Sequence, residues 1–141
     1  METLEKYPDI IKIIKNLPIS ANTKSMLLKT KIMNTKLHGR KNAYVQCTNM
    51  EEQMVLVGNI NLLIRSDIGR IILLHEISHI ILDVYDNNIK NADLLSNFEI
   101  FEGEKDAWEL TEVFLGRKVS FVKNAALNSY ARRVLPLLCR H

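Results

Sequence analysis

Residues 71–83 read IILLHEISHIILD, two histidines four apart and a glutamate set into a run of isoleucine and leucine. A run this long is beyond an ordinary strand, and apolar residues on all sides of a helix mark it as a core element. Burial would then cost several kcal/mol for polar groups left unsatisfied. The chain must therefore wrap its core around this helix and also give His75, Glu76 and His79 something to bind.

The rest of the chain is sized for that task. Its 141 residues suit one domain, and 47% hydrophobic with 25% charged residues is the composition of a compact protein rather than a disordered or fibrous one. Cys47 and Cys139 lie far apart with no Cys-x-x-Cys pair, so both are expected as reduced thiols. The start, METLEKYPDI, lacks the basic beginning and apolar stretch of a signal peptide, and no apolar run approaches the roughly 20 residues of a membrane span. A cytoplasmic protein with no membrane partner is the expectation. Residues 1–45 carry nine Lys/Arg against three Asp/Glu. The lysines are scattered and no nucleic-acid motif accompanies them, so direct nucleic-acid binding through this basic region is not favoured.

Pro8 suits the first turn of a helix over PDIIKIIKNL, with Ile10, Ile11, Ile13, Ile14 and Leu17 as its apolar side. Ser20 or Asn22 can cap a second helix through SMLLKTKIMNTKL, ended by Gly39. NAYVQCT and QMVLVGN, split by the polar turn NMEE, read as two antiparallel strands, with NLLIR as a candidate third. Ser66 or Asp67 caps the histidine helix, which runs to about Asp83. Two more helices cover GEKDAWELTEVFL, stopped at Gly116, and KNAALNSYARRVL, stopped near Pro136. The expectation is an α+β fold in a single domain over 1–141: basic N-terminal helices over 1–42, then a small antiparallel sheet, the histidine helix and a third-ligand helix over 43–141.

Positions i and i+4 share a helical face, so the imidazoles of His75 and His79 can converge on one metal ion. Zinc (Zn2+) fits, bound by imidazole nitrogen at roughly 2.0–2.1 Å with room for a third ligand and a water. Glu76, one residue after the first histidine, is placed to take a proton from that water as the catalytic base. This is the HExxH arrangement of zincins. A random chain with this many His and Glu would show the pattern roughly 0.008 times. The bland reading is coincidental spacing of core or surface histidines.

The third ligand is not set by the motif. No glycine turn and nearby third histidine follow, which excludes a metzincin. Asp83 is about 12 Å along the helix from His75, too far for one ion to bridge. Glu99, Glu102, Glu104, Glu109 and Glu112 remain, and Glu104 is favoured because Ala107, Trp108 and Thr111 share its face, the small alanine allowing close approach. Its bland reading is an acidic residue in the first turn of a helix.

HEISH followed by EKDA and a Leu-rich helix end resembles the ImmA/IrrE metallo-endopeptidases, whose pattern is HExxH with a later ExxA motif. The likeness covers about residue 43 through Leu115. It implies a helical zincin-like domain, His75, His79 and Glu104 as zinc ligands, Glu76 as base, and a substrate that is a helix-turn-helix transcriptional repressor of a phage or mobile element. Three positions depart from the family pattern: Ser78 stands for a frequent glycine, Trp108 for a common asparagine, and Gly116 for a proline. The oxyanion donor is left among Tyr85, Tyr130, His38 and Tyr44, and MVLVG is either a substrate-pairing edge or a wholly internal strand. Two other functions are weighed: a non-catalytic binding or regulatory module on a zincin scaffold, and a protease toxin acting on a host protein.

Overall fold

The structure is a computed structural model that describes residues 2–34, 43–47, 54–85 and 97–128. It is an α+β arrangement in two compact units, residues 1–89 and 90–141.

In the first unit a two-residue strand β1 (Glu2–Thr3) and a 3-10 turn lead into α1 (Pro8–Lys15), with Pro8 in the first turn as expected. Ile10, Ile14 and Leu17 are buried, while Ile11 and Ile13 are only partly covered. Ser20 caps α2 (Ala21–Leu28), its side chain accepting a hydrogen bond from Thr23 N at 3.2 Å. Here the sequence expectation fails. The helix stops at Leu28, and Lys31–Asn34 forms strand β2 instead of a continuation. Residues 31–34 pair in parallel with β4 (Met54–Gly58), from Lys31↔Val55 to Asn34↔Gly58. That long-range ladder outweighs the helical spacing of Ile32 and Met33, whose intrinsic preference between helix and strand is small.

The expected antiparallel pair is present, β3 (Ala43–Cys47) against β4, with Val45 opposite Leu56. The sheet order is β1-β2-β4-β3. MVLVG therefore lies inside the sheet, with β2 on one side and β3 on the other, and its edge-pairing reading is withdrawn. NLLIR is not a strand either. Asn59 accepts from Leu62 N at 3.2 Å and starts a one-turn helix, α3 (Ile60–Leu63). The cap satisfies an otherwise orphaned donor and turns the chain out of the sheet.

Asn34 joins this turn to the N-terminus: its Oδ1 accepts from Ile60 N at 3.1 Å, and its Nδ2 donates to the Tyr7 hydroxyl at 3.3 Å. Tyr7 in turn donates to Glu2. Lys6 and Tyr7 hydrogen-bond the Glu2 carboxylate and hold it below the usual carboxylate range, whereas burial and Glu2 push the Tyr7 phenol up.

The histidine helix is α4 (Asp67–Tyr85). Ser66 is its cap, accepting from Gly69 N at 2.9 Å, and Arg70 donates back to the Ile64 carbonyl at 3.1 Å. The helix packs against α2, α3 and β3, and Leu73, Leu74, Ile77, Ile80 and Ile81 are buried. No helix among the described residues is long and apolar enough to cross a membrane.

The second unit contains α5 (Asn97–Leu115), which starts earlier than expected and ends where Gly116 adopts a φ of 68°. That left-handed conformation suits glycine and closes the helix. Residues 120–128 are helical too, and the remainder of the expected final helix lies outside the described residues.

Gly69 sits where α3 crosses the start of α4. A Cβ there would run into the Leu63 carbonyl oxygen and lie 2.8 Å from its carbon and Cα, all backbone atoms that cannot rotate away. Gly103, with nothing within 4 Å of an added Cβ, is the control. Gly69→Ala is expected to lower stability by about 1–3 kcal/mol through overpacking, while Gly103→Ala gains about 0.5–1 kcal/mol of helix propensity. Urea unfolding of both variants checks the contrast; equal effects would mean the α3–α4 crossing is not tight.

Candidate metal centre

Helix α4 presents His75 and His79 one turn apart, with ring centroids 4.6 Å from each other and ring planes 67° apart. His75 and Glu76 are each only 6% exposed, and His79 is partly covered. His75 Nδ1 lies 3.4 Å from Glu76 Oε1, so the carboxylate is held beside the first histidine rather than turned to solvent. Ser78, fully buried, returns its hydroxyl to the Leu74 carbonyl at 2.9 Å. This bond satisfies the hydroxyl donor of a serine at a core position.

On α5 the stripe Glu104, Ala107, Trp108 and Thr111 is the covered one. Ala107, Trp108 and Thr111 are buried and Glu104 is partly so, while Lys105, Asp106, Glu109 and Val113 are exposed. Thr111 satisfies its hydroxyl on the Ala107 carbonyl at 2.7 Å. Helical spacing puts Glu104 on the face of these three buried residues.

One ligand atom from each of His75, His79 and Glu104 lies within 4.8 Å of the others, a His-His-Glu group placed to bind a metal ion. Donors around a tetrahedral zinc stand roughly 3.3 Å apart, given bonds of 2.0–2.1 Å. Closing on an ion therefore needs side-chain shifts on the order of an ångström, within the reach of a rotamer adjustment. Two neutral imidazoles and a carboxylate are a donor set that such an ion accepts.

The competing glutamates separate clearly. Glu109 is exposed, and Glu112 is engaged elsewhere: Lys123 Nζ donates to it at 2.7 Å and Val119 N at 3.0 Å. Glu102 is partly covered and belongs to no metal-binding group among the described residues, and the Glu99 side chain lies outside them. Of the proposed oxyanion donors, His38 and Tyr130 lie outside the described residues, as do the side chains of Tyr44 and Tyr85. Trp108 is core, at 2% exposure. The Glu112 latch was not foreseen, since its partners come 7 and 11 residues later.

Comparison with known proteins found no match: no family model, no curated protein and no solved structure resembles the chain closely enough to identify it.

The hydrogen bond from Lys123 is the main cause that holds the Glu112 carboxyl below its ordinary value of 4.5. A carboxyl lowered in the folded state adds stability above its unfolded pKa and loses it as pH falls through the folded one. Glu112→Gln should therefore cost about 1–2 kcal/mol at neutral pH and flatten the acid limb below 4.5, leaving metal content unchanged. Urea titrations across pH, with metal analysis at neutral pH, check both parts; loss of metal would return Glu112 to the ligand set.

Proposed function

We propose that the protein is a zinc-dependent endopeptidase of the ImmA/IrrE-like, zincin type. The observation that carries the reading is the convergence of His75, His79 and Glu104, with Glu76 buried beside the first histidine. The motif on α4 and the ExxA glutamate on α5 come from distant parts of the sequence. Their meeting is what a three-ligand hydrolytic site requires and what coincidental spacing does not.

In this reading His75 and His79 hold the ion through ring nitrogens and Glu104 through a carboxylate oxygen. Zinc held in such a site supplies Lewis-acid polarisation and acidifies water. Glu76 accepts the proton from the attacking water at a carboxylate oxygen and later delivers it to the leaving amine. Its burial keeps it desolvated and close to His75. The proposed substrate is a protein, specifically a helix-turn-helix transcriptional repressor of a phage or mobile element, and this part of the reading rests on the motif resemblance alone.

The test is metal analysis of the purified full chain with hydrolysis of a candidate repressor and of unfolded casein. About one zinc per chain is expected, lost in His75→Ala, His79→Ala and Glu104→Ala. Glu76→Gln should keep the zinc and lose peptide hydrolysis by at least about 100-fold. A chain that takes up no metal when zinc is supplied contradicts the reading, and one that binds iron in place of zinc redirects it to a non-haem iron site.

A further inference from the structure

We propose that Trp108 is a positioning residue that sets the rotation of α5 and so aims the Glu104 carboxylate at the metal. The inference rests on the metal-site reading and adds to it a residue that neither the motif nor the ligand set includes.

Only Ala107, Trp108 and Thr111 are buried among the described side chains of α5, and Trp108 is the one large group of the three. It heads the fully buried side chains of the described residues by volume. The neighbouring apolar residues of the helix do not share this role, since Leu110 and Phe114 are partly covered and Val113 is exposed. Among the described side chains of α5, Trp108 is therefore the buried one whose bulk most resists rotation of the helix.

Trp108 follows Glu104 by four residues, one turn on the same face. Long helical side chains lean toward the N-terminal turn, so the indole lies over the turn that carries Glu104. The leverage is large. A side chain reaches about 5–6 Å from the helix axis, so a rotation of roughly 20° carries a carboxylate about 2 Å, the length of a metal–ligand bond. Ala107 and Thr111 are too small to resist that rotation alone.

The experiment uses the full chain and Co2+ as probe, with affinity and the visible absorption band of bound cobalt as readouts and circular dichroism to verify folding. Trp108→Phe, which keeps an aromatic anchor, should bind Co2+ within about threefold of the parent chain, and Trp108→Ala should bind about 10–100-fold more weakly with an altered band. If Trp108→Ala does not fold, Trp108→Leu is read in its place. The decisive comparison is the cycle with Glu104→Ala, read in direct titrations that extend to millimolar Co2+ so that the weak residual affinity of the two histidines is still measured. A residue acting through Glu104 weakens binding in the parent chain and adds no loss once Glu104 is gone. Equal losses in both backgrounds, or parental affinity in Trp108→Ala, overturn the inference while leaving the metal site intact. Absence of Co2+ binding by the parent chain overturns the metal reading itself, and the inference with it.

Discussion

Two imidazoles and a carboxylate held within 4.8 Å of one another, beside a second carboxylate at 6% exposure, set the demand that the rest of the molecule meets. Polar groups removed from water must be satisfied, and the cost of failure is several kcal/mol for each. A cation coordinated by these three groups would add charge-assisted contacts on the same helix that carries much of the apolar core. The surrounding isoleucines and leucines lower the local dielectric and strengthen each interaction made inside it.

Placement of the histidines depends on how α4 is fastened at its start. The Ser66 cap, the Arg70 bond to the Ile64 carbonyl and the close approach of Gly69 to Leu63 fix the entry of the helix against α3. From there His75 and His79 follow by helical geometry alone, two and three turns further on. The sheet meets α4 through β3. On α5, Gly116 ends the helix, and the Glu112 carboxylate ties that end to Val119 and Lys123. Each anchoring group thus lies a few turns from the chemistry it supports.

Much of this is written locally in the chain. The histidine helix, the strand pair around NMEE, the Ser20 cap and the Gly116 stop all rest on short-range signals, namely periodicity, β-branched content and capping chemistry. The glutamate was narrowed by the same means, because the Glu104, Ala107, Trp108, Thr111 stripe follows from spacing on one helix. What misled was non-local. KIMN carries apolar residues at a spacing that suits a helix, and only its parallel pairing with Met54–Gly58 makes it a strand. NLLIR looks extended by composition, yet the Asn59 cap and the Asn34 bond to Ile60 N turn it into a helical corner. The nearness of one ligand atom of Glu104 to those of His75 and His79 is likewise something that no window of sequence contains.

The central claim is that His75, His79 and Glu104 ligate one metal ion, and X-ray absorption at the zinc edge of the zinc-loaded chain tests it most directly. The account predicts a first shell of nitrogen and oxygen at about 2.0–2.1 Å, with the outer-shell scattering of two imidazoles and no sulfur. Sulfur at about 2.3 Å would place the ion on Cys47 or Cys139 instead, and scattering from fewer than two imidazoles would separate the histidines; either result contradicts the account.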